Sequence, residues 1–402
     1  MTAATATRGR LDLSGVERST WTGWGGVALG ILAWWIALPP LLLRSPAPSI
    51  VLALIAVGLG VWTVREGPKR LGWGAVAAGL IGGVGAVAAT QSGEANLERV
   101  VVWSALAAAM LRFATPLVFG ALGGVISERA GVVNIGLEGM MLMGAFFGIY
   151  GADILGGWLP GLLLGMLAGG ALALIHAFFA ISLRADQIVS GFAVNFIALG
   201  ITGYVFLDHY GEEGTPDGVP EVPDISLPID WIPFFGPALE HLNLLVWVAL
   251  ILVGVMSVFL FKTPTGLRVR SVGENPRAAA TVGISVYWIR YLAVIASGML
   301  AAMGGAFLSI GFVHSFTQTM TAGRGFIALA VVIVGKWRPG AALLFALLFG
   351  FTQALAQRLP VFSEGSGTLL QALPYVVTII AVAGLVGRST PPAADGVPYS
   401  KE

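Results

Sequence analysis

Long apolar runs, separated by short polar segments, set the pattern of the chain from residue 24 onwards. A helix needs about 20 mostly apolar residues to cross a bilayer. Twelve runs approach that length and predict an all-α, polytopic helical membrane protein of about 12 spans. The tenth run has only 11 residues, which predicts a re-entrant or broken helix. The predicted spans are 24–43, 49–64, 73–90, 100–126, 134–150, 157–182, 187–207, 244–261, 287–311, 324–334, 340–357 and 368–386.

Lys and Arg are concentrated on one side of these spans, which predicts their orientation. If the chain starts in the cytoplasm, cytoplasmic segments hold 17 of its 22 Lys and Arg residues. The segment 208–241 carries eight acidic residues and no Lys or Arg, so we expect it outside, as a solvated loop or a docking element. Both termini are then predicted to be cytoplasmic. The five basic residues left outside are Arg44, Arg99, Arg112, Arg324 and Arg358.

Composition excludes several classes of function. Hydrophobic residues make up 56% of the chain and charged residues only 11%, less than half of the roughly 25% usual in soluble domains. A soluble enzyme is therefore excluded. The net charge of +1 gives no reason to expect a nucleic-acid partner. The chain has no Cys, which removes disulfides and Cys-ligated metals.

The sequence offers no catalytic motif. A P-loop needs Gly-Lys-Ser/Thr, but the only Lys followed by Ser or Thr is Lys262, and Phe261 precedes it. The four histidines are far apart, and HExxH does not occur. We therefore expect no ATPase site, metal or cofactor on this chain.

Polar side chains inside apolar spans are costly, so they mark candidate positions on a solute path. The span interiors hold few acids, which favours a neutral polar solute and leaves a secondary carrier with a coupling-ion site as a remote alternative. The substrate-pathway candidates are Asn134, Glu138, Asn195, Arg324 and Phe326, the last as a ring that a base could contact.

A structural role is the alternative for three of these residues. Asn134 would cap the helix that follows it. Glu138 would accept hydrogen bonds from a neighbouring turn or pair with Arg129. Phe326 would pack in the core.

The internal segment 262–286 predicts a defined structure rather than a flexible loop. Thr263-Pro264 ends one helix. Asn275 and Pro276 then predict a short helix, with Asn275 as N-cap and Pro276 at the first helical position. Glu274 near that start complements the helix dipole, and Arg277 offers a guanidinium to a partner protein. The alternative is a solvated basic loop.

Four ordered blocks resemble a known family. The block GALGGVISERAGVVNIGLEGMMLMGAF at 120–146 is similar to inner-membrane permease subunits of ABC importers, within the ribose/branched-chain amino-acid permease family and its nucleoside-type subgroup. The blocks at 273–311, 320–340 and 391–399 resemble the same family in the same order. The resemblance begins near residue 97 and covers about three quarters of the chain.

The resemblance implies a division of the chain. Residues 1–96 would add about three spans, 97–390 would form the permease domain, with a core of about 9–10 helices resembling the ribose-type ABC permease fold, and 391–402 would form a cytoplasmic tail. The segment 262–286 lies where the family's coupling helix lies. Glu274, Asn275, Pro276 and Arg277 are therefore the candidate contacts with an ATPase.

The resemblance also implies the rest of a transport machine. A second, non-identical permease would pair with this chain in the bacterial cytoplasmic membrane, and a cytoplasmic ABC ATPase would hold ATP and Mg²⁺. An extracytoplasmic substrate-binding lipoprotein would deliver the solute. The implied solute is a nucleoside, with a simple sugar such as a pentose as the alternative.

Overall fold

The computed structural model describes residues 18–37, 45–91, 102–229, 232, 235–358 and 389–400. These residues fall into two compact units, one covering the described residues up to 102 together with Arg358, and the other covering 103–357 with the segment 389–400. The predicted span 368–386 lies outside the described residues, as do residues 38–43 of the first predicted span and the predicted boundary after residue 96. Those predictions stay predictions.

The first unit is built from three helices, α1 (Arg18–Trp35), α2 (Ala47–Glu66) and α3 (Lys69–Gln91). Small residues allow their backbones to approach closely. A Cβ atom added at Gly82 would lie only 2.0 Å from the carbonyl oxygen of Gly30, so the contact between α1 and α3 needs glycine there.

The second unit contains the remaining described helices. Two of them continue into π-helical turns, Phe178–Ser182 after the helix Trp158–Ala177 and Phe307–Val313 after the helix Val286–Ala306. A short antiparallel ribbon, β1 (Asp224–Ser226) with β2 (His241–Asn243), orders the segment predicted to be external. The helices are α4 (Trp103–Arg129), α5 (Leu137–Leu155), α6 (Trp158–Ala177), α7 (Gln187–Tyr210), α8 (Phe235–Leu239), α9 (Leu244–Lys262), α10 (Pro264–Glu274), α11 (Pro276–Thr281), α12 (Val286–Ala306), α13 (Arg324–Val334) and α14 (Pro339–Arg358).

The length and hydropathy of these helices confirm a polytopic helical membrane fold. Within the described residues, nine helices are long and apolar enough to cross a bilayer. The short tenth run is also confirmed, because α13 has only 11 residues. Large apolar side chains remain exposed on the outer helices, as expected where lipid rather than water surrounds them.

Helix α12 forms the centre of the second unit. It packs against α4, α5 and α6, and 78% of its most apolar stretch is buried, compared with 28% for α7. The contact with α5 is a backbone contact, since a Cβ atom at Gly305 would lie 1.8 Å from the carbonyl oxygen of Met141. Helix α12 therefore has little freedom to move relative to α5.

Cysteine labelling tests the predicted orientation, because the natural chain contains no Cys. Asp217 lies in the segment predicted to be external, and Val282, which is 74% exposed, follows α11 on the predicted cytoplasmic side. We expect a membrane-impermeant maleimide to label Asp217→Cys in intact spheroplasts and Val282→Cys only after permeabilisation. Labelling in the opposite order would contradict the orientation.

Candidate functional site

Helix α13 crosses only part of a membrane. At a rise of 1.5 Å per residue its 11 residues extend about 16 Å, roughly half of the hydrocarbon core. The residues before it, 314–323, are not regular helix, and Thr319, Ala322 and Gly323 have positive φ angles. The break between α12 and α13 therefore places irregular backbone at membrane depth, where its polar groups need partners within the protein.

The carboxylate of Glu138 supplies those partners at the start of α13. Its Oε1 accepts hydrogen bonds from the Thr321 hydroxyl at 2.7 Å and from the Gly323 N–H at 2.8 Å. Its Oε2 accepts the Gly325 N–H at 2.6 Å. A negative group at a helix N-terminus satisfies unpaired N–H donors and the helix dipole together. Glu138, on α5, thus caps the start of α13. This matches the alternative considered from the sequence, in which Glu138 accepts hydrogen bonds from a neighbouring turn.

Arg129, the other partner considered for Glu138, lies at the opposite end of α13. Its Nε donates to the Trp337 carbonyl at 3.1 Å, and its Nη1 lies 4.0 Å from the Glu274 carboxylate. The indole N–H of Trp337 donates to Glu128. Glu138 therefore binds the start of α13, and Glu128 and Arg129 bind Trp337 just after its end. These residues flank the turn between α4 and α5, so both ends of α13 are attached to that turn.

The turn between α4 and α5 is itself buried irregular backbone, and its polar groups are matched by side chains. The Val133 N–H donates to Gln187 Oε1 at 2.8 Å. The Val133 carbonyl lies 3.1 Å from His176 Nε2, and His176 Nδ1 lies 2.7 Å from the Ser190 hydroxyl. Since a carbonyl can only accept, His176 Nε2 is the donor and Nδ1 accepts from Ser190.

Asn195 holds the same turn from α7. Its Oδ1 accepts the Gly139 N–H at 2.7 Å, and its Nδ2 donates to the Ile135 carbonyl at 3.0 Å. Glycine is needed beside it, because a Cβ atom at Gly139 would lie 2.7 Å from the Asn195 Cα. Asn195 is only half-buried, and its partner Gly139 directly follows Glu138, so Asn195 stabilises the backbone next to the residue that caps α13.

Asn134 corrects one interpretation of the sequence. It is fully buried, and its Nδ2 donates to the Ser297 hydroxyl at 2.9 Å. It does not cap α5, whose N-cap is Gly136 without a side-chain hydrogen bond. Two residues separate Asn134 from Leu137, the first residue of α5, and its side chain contacts α12 instead.

The side of the break away from the core is exposed and partly polar. Thr317, Gln318 and Thr319 are exposed ahead of α13. Phe326 is 40% exposed and Phe192 is 44% exposed, and their ring centroids lie 6.1 Å apart. Exposed polar groups beside irregular backbone are unfavourable against lipid tails. This strip is therefore suited to face water, a solute or another protein.

Arg324 is the first residue of α13 and follows the exposed polar residues 317–319 along the chain. Its Nη1 donates to the carbonyls of Met320 and Thr321, at 3.0 and 3.1 Å. The structure thus brings Glu138, Asn195, Arg324 and Phe326 to the break, whereas Asn134 lies behind them. Within the described residues, no group of three or more His, Cys, Asp or Glu is arranged to hold a metal ion.

Sequence reasoning missed several side chains that complete this site, namely Gln187, Ser190, Ser297 and Thr321. His176 belongs with them, because nothing in the sequence places it beside Val133 and Ser190. All five are polar groups in or beside apolar runs, and that signal was present in the sequence. Their partners were not, because each lies many residues away along the chain.

The internal segment 262–286 forms two helices, where the sequence predicted one. The predicted helix is confirmed as α11, with the Asn275 Oδ1 accepting the Ala278 N–H at 3.0 Å and Pro276 at its start. Thr263 ends α9 but also caps α10, its hydroxyl accepting the Gly266 N–H at 3.1 Å. Glu274 is the last residue of α10 and contacts the segment 389–400, while Arg277 is exposed on α11.

Removing the Glu138 carboxylate should destabilise the break. Glu138→Ala leaves the Gly323 and Gly325 N–H groups without their acceptor, and an unsatisfied buried donor costs about 1–3 kcal/mol. Glu138→Gln keeps one carbonyl oxygen, so we expect a smaller loss. The measurement is the thermal unfolding midpoint of the purified chain. Glu212→Ala, at an exposed acid, is the matched control, and an equal midpoint for all three variants would contradict the capping role.

Most of this chain is similar to known permeases. Residues 106–382 match the family model described as branched-chain amino acid transport system / permease component. The guanosine ABC transporter permease protein NupQ of Bacillus subtilis is 43% identical over 321 residues, 76% of this chain and 99% of NupQ. The nucleoside ABC transporter permease protein NupC of Lactococcus lactis is 40% identical over 307 residues, 74% of this chain and 96% of NupC.

A further relative is named for a different substrate. The putative glucose ABC transporter permease protein TsgC13 of Haloferax volcanii is 38% identical over 255 residues, 62% of this chain and 76% of TsgC13. No solved structure matches the chain. The family model covers more than half of the chain, and NupQ and NupC match along nearly their whole length, so the resemblance seen in the sequence is confirmed. The chain belongs to the branched-chain amino acid transport system / permease component family, the membrane-spanning permeases of ABC transporters.

Proposed function

We propose that this chain forms part of the pathway by which an ATP-driven importer moves nucleosides across the bacterial cytoplasmic membrane. The observation that carries the proposal is the near-complete coverage of two permeases named for guanosine and nucleosides, at 43% and 40% identity. The chain supplies a passage and no ATPase site, since its sequence lacks the Gly-Lys-Ser/Thr that a P-loop requires. ATP and Mg²⁺ belong to a separate ATPase subunit.

The exposed side of the break is the proposed solute path on this chain. A nucleoside is neutral, polar at its ribose and aromatic at its base. The hydroxyl and amide groups of Thr317, Gln318 and Thr319 suit the ribose, and the exposed rings of Phe192 and Phe326 suit the base. Aromatic rings contact bases without needing a charged partner. Glu138, Asn195 and Arg324 shape the path by holding its backbone.

Other proteins complete the proposed machine. A second permease would close the open side of the path, and a lipoprotein would deliver the solute at the external segment 208–241. The ATPase would dock on α10 and α11, where the Asn275 cap fixes a short helix that presents Arg277 to the cytoplasm. Both termini of this chain would lie on that side.

A sugar is the second candidate solute, favoured by the similarity to a putative glucose permease. The two solutes differ in the aromatic base, for which a sugar offers no equivalent. The coverage of that relative is lower, at 62% of this chain and 76% of TsgC13. We therefore place nucleosides first.

Uptake assays separate these candidates. Cells lacking the gene for this chain should lose ATP-dependent uptake of labelled guanosine, adenosine or uridine, and the full-length gene should restore it. Uptake of ribose and glucose should be unchanged in both strains. Loss of sugar uptake with normal nucleoside uptake would replace the nucleoside proposal with the sugar alternative. Nucleoside uptake that a protonophore abolishes at constant cellular ATP would instead indicate a secondary carrier.

Charge reversal at Arg277 tests the docking surface. If Arg277 contacts the ATPase, Arg277→Glu should leave the chain in the membrane but reduce co-purification of the ATPase and nucleoside uptake, because a guanidinium donor is replaced by a repelled or unpaired carboxylate. Arg65→Glu, the same charge change at an exposed residue of α2, is the control. Normal uptake and co-purification with Arg277→Glu would support a solvated basic surface instead.

A further inference from the structure

The segment 389–400 is folded against the end of α10. The Ala394 N–H donates to the Gly273 carbonyl at 2.9 Å, and the Ala393 N–H donates to the Glu274 carboxylate at 3.3 Å. The last carbonyls of a helix have no partner within the helix. The Ala394 N–H therefore satisfies one of the free carbonyls of α10. The Glu274 carboxylate accepts the N–H of the preceding residue, Ala393.

A buried arginine on α12 holds the same segment from the other side. Arg290 is 1% exposed, its Nη1 donates to the Val397 carbonyl at 3.0 Å, and its Nη2 lies 3.5 Å from the Ala394 carbonyl. Burying a guanidinium is costly unless its N–H groups are paired. The segment's carbonyls therefore stabilise Arg290, and Arg290 in turn fixes the segment.

Asp395 lies beside Arg290 but is not a simple ion-pair partner. Burial raises the pKa of the Asp395 carboxyl to about 7, although the Arg290 charge and the Gly396 N–H both lower it. Burial therefore disfavours the charged form of this carboxyl group. The hydrogen bonds from Arg290 to the two carbonyls fix the segment at this point.

The far end of the segment reaches α11 and the start of α12. The Tyr287 hydroxyl donates to the Tyr399 carbonyl at 3.3 Å, and the two ring centroids lie 5.5 Å apart. Tyr399 is buried in a small apolar cluster with Val272, Ala279 and Val286. One segment of twelve residues thus contacts α10, α11 and α12 together.

The same segment also lies on the turn between α4 and α5. A Cβ atom at Gly131 would lie 2.8 Å from Arg290 Nη2 and 3.0 Å from the Ala394 carbonyl oxygen, and Gly131 has a φ of +83°. A Cβ atom at Gly273 would lie 2.2 Å from the Arg129 carbonyl oxygen. Glycine at both positions allows α10, the segment and the turn to pack in direct contact. That turn leads within a few residues to Glu138.

We propose that residues 389–400 act as a strap that ties α10 and α11 to the first turn of α12 and to the turn between α4 and α5, with Arg290 as the residue that positions it. The strap makes these elements move as one piece. Displacement of α10–α11 by an ATPase then reaches the turn that holds α13 at both ends. This role rests on the proposed function, because it assigns the strap to the coupling of ATP hydrolysis to the solute path.

Hydrogen exchange of the purified chain tests the strap without any partner protein. The two test variants are a chain lacking 391–402 and Arg290→Met, and Arg184→Met, at an exposed arginine outside the strap, is the matched control. We expect both test variants to speed amide exchange in 264–281 and in 130–136, with no change in 244–262. Unchanged exchange in either of the first two regions would overturn the strap. So would faster exchange everywhere, which indicates general unfolding.

Coupling is measured in the assembled transporter. In both test variants the ATPase should still co-purify and hydrolyse ATP, while uptake per ATP falls by about fivefold or more, the scale of coupling between linked sites. Uptake per ATP in the double variant should be no lower than in the truncation alone, because both changes remove the same contact between Arg290 and the strap. Normal uptake per ATP, or parallel loss of hydrolysis and uptake, would overturn the proposal. Absence of nucleoside uptake by the unmodified transporter would reject the proposed function instead, and would leave the exchange result standing.

Discussion

The capping of α13 by the Glu138 carboxylate is the interaction on which the architecture of the break depends. A half-helix that starts at membrane depth exposes N–H groups that lipid cannot satisfy. Glu138 accepts three hydrogen bonds there, two from the backbone N–H groups of Gly323 and Gly325 and one from the Thr321 hydroxyl. Because this acceptor comes from α5, the broken helix and the helix that caps it form one unit.

The turn between α4 and α5 extends that constraint through the second unit. Its backbone is paired with Gln187, His176 and Asn195 from two other helices, and its two ends hold the two ends of α13. These hydrogen bonds restrict the motion of the turn's backbone, although the Gln187 Nε2 itself has no hydrogen-bond partner. Such a network can carry a displacement from the predicted cytoplasmic surface to the solute path, whereas flexible loops would absorb it.

The sequence predicted the features that depend on local patterns. Apolar run length predicted the spans within the described residues and the short α13, and Asn275-Pro276 predicted α11 with its cap. Features that depend on long-range contacts were not predictable. The acceptor role of Glu138 needs donors at 321–325, far along the chain, and nothing near Glu274 signals its contact with Ala393.

One local interpretation failed and another was incomplete, each for a physical reason. Asn134 has the right residue type for a cap, but its amide N–H donates to the buried Ser297 hydroxyl, which holds the side chain away from α5. Thr263-Pro264 has the pattern of a helix end, yet the same pair also starts a helix because proline is favoured at the first helical position. Sequence alone does not show whether such a pair only ends one helix or also starts the next helix.

The central claim is that solute passes along the exposed side of the break, and photo-crosslinking tests it most directly. A photoreactive nucleoside analogue would be captured in the assembled transporter during ATP-driven turnover, and the labelled peptides identified by mass spectrometry. The account predicts labels within 314–326 and near Phe192, reduced by excess unlabelled nucleoside. Competable labels confined to α2, α3 or α9, with none at the break, would contradict it.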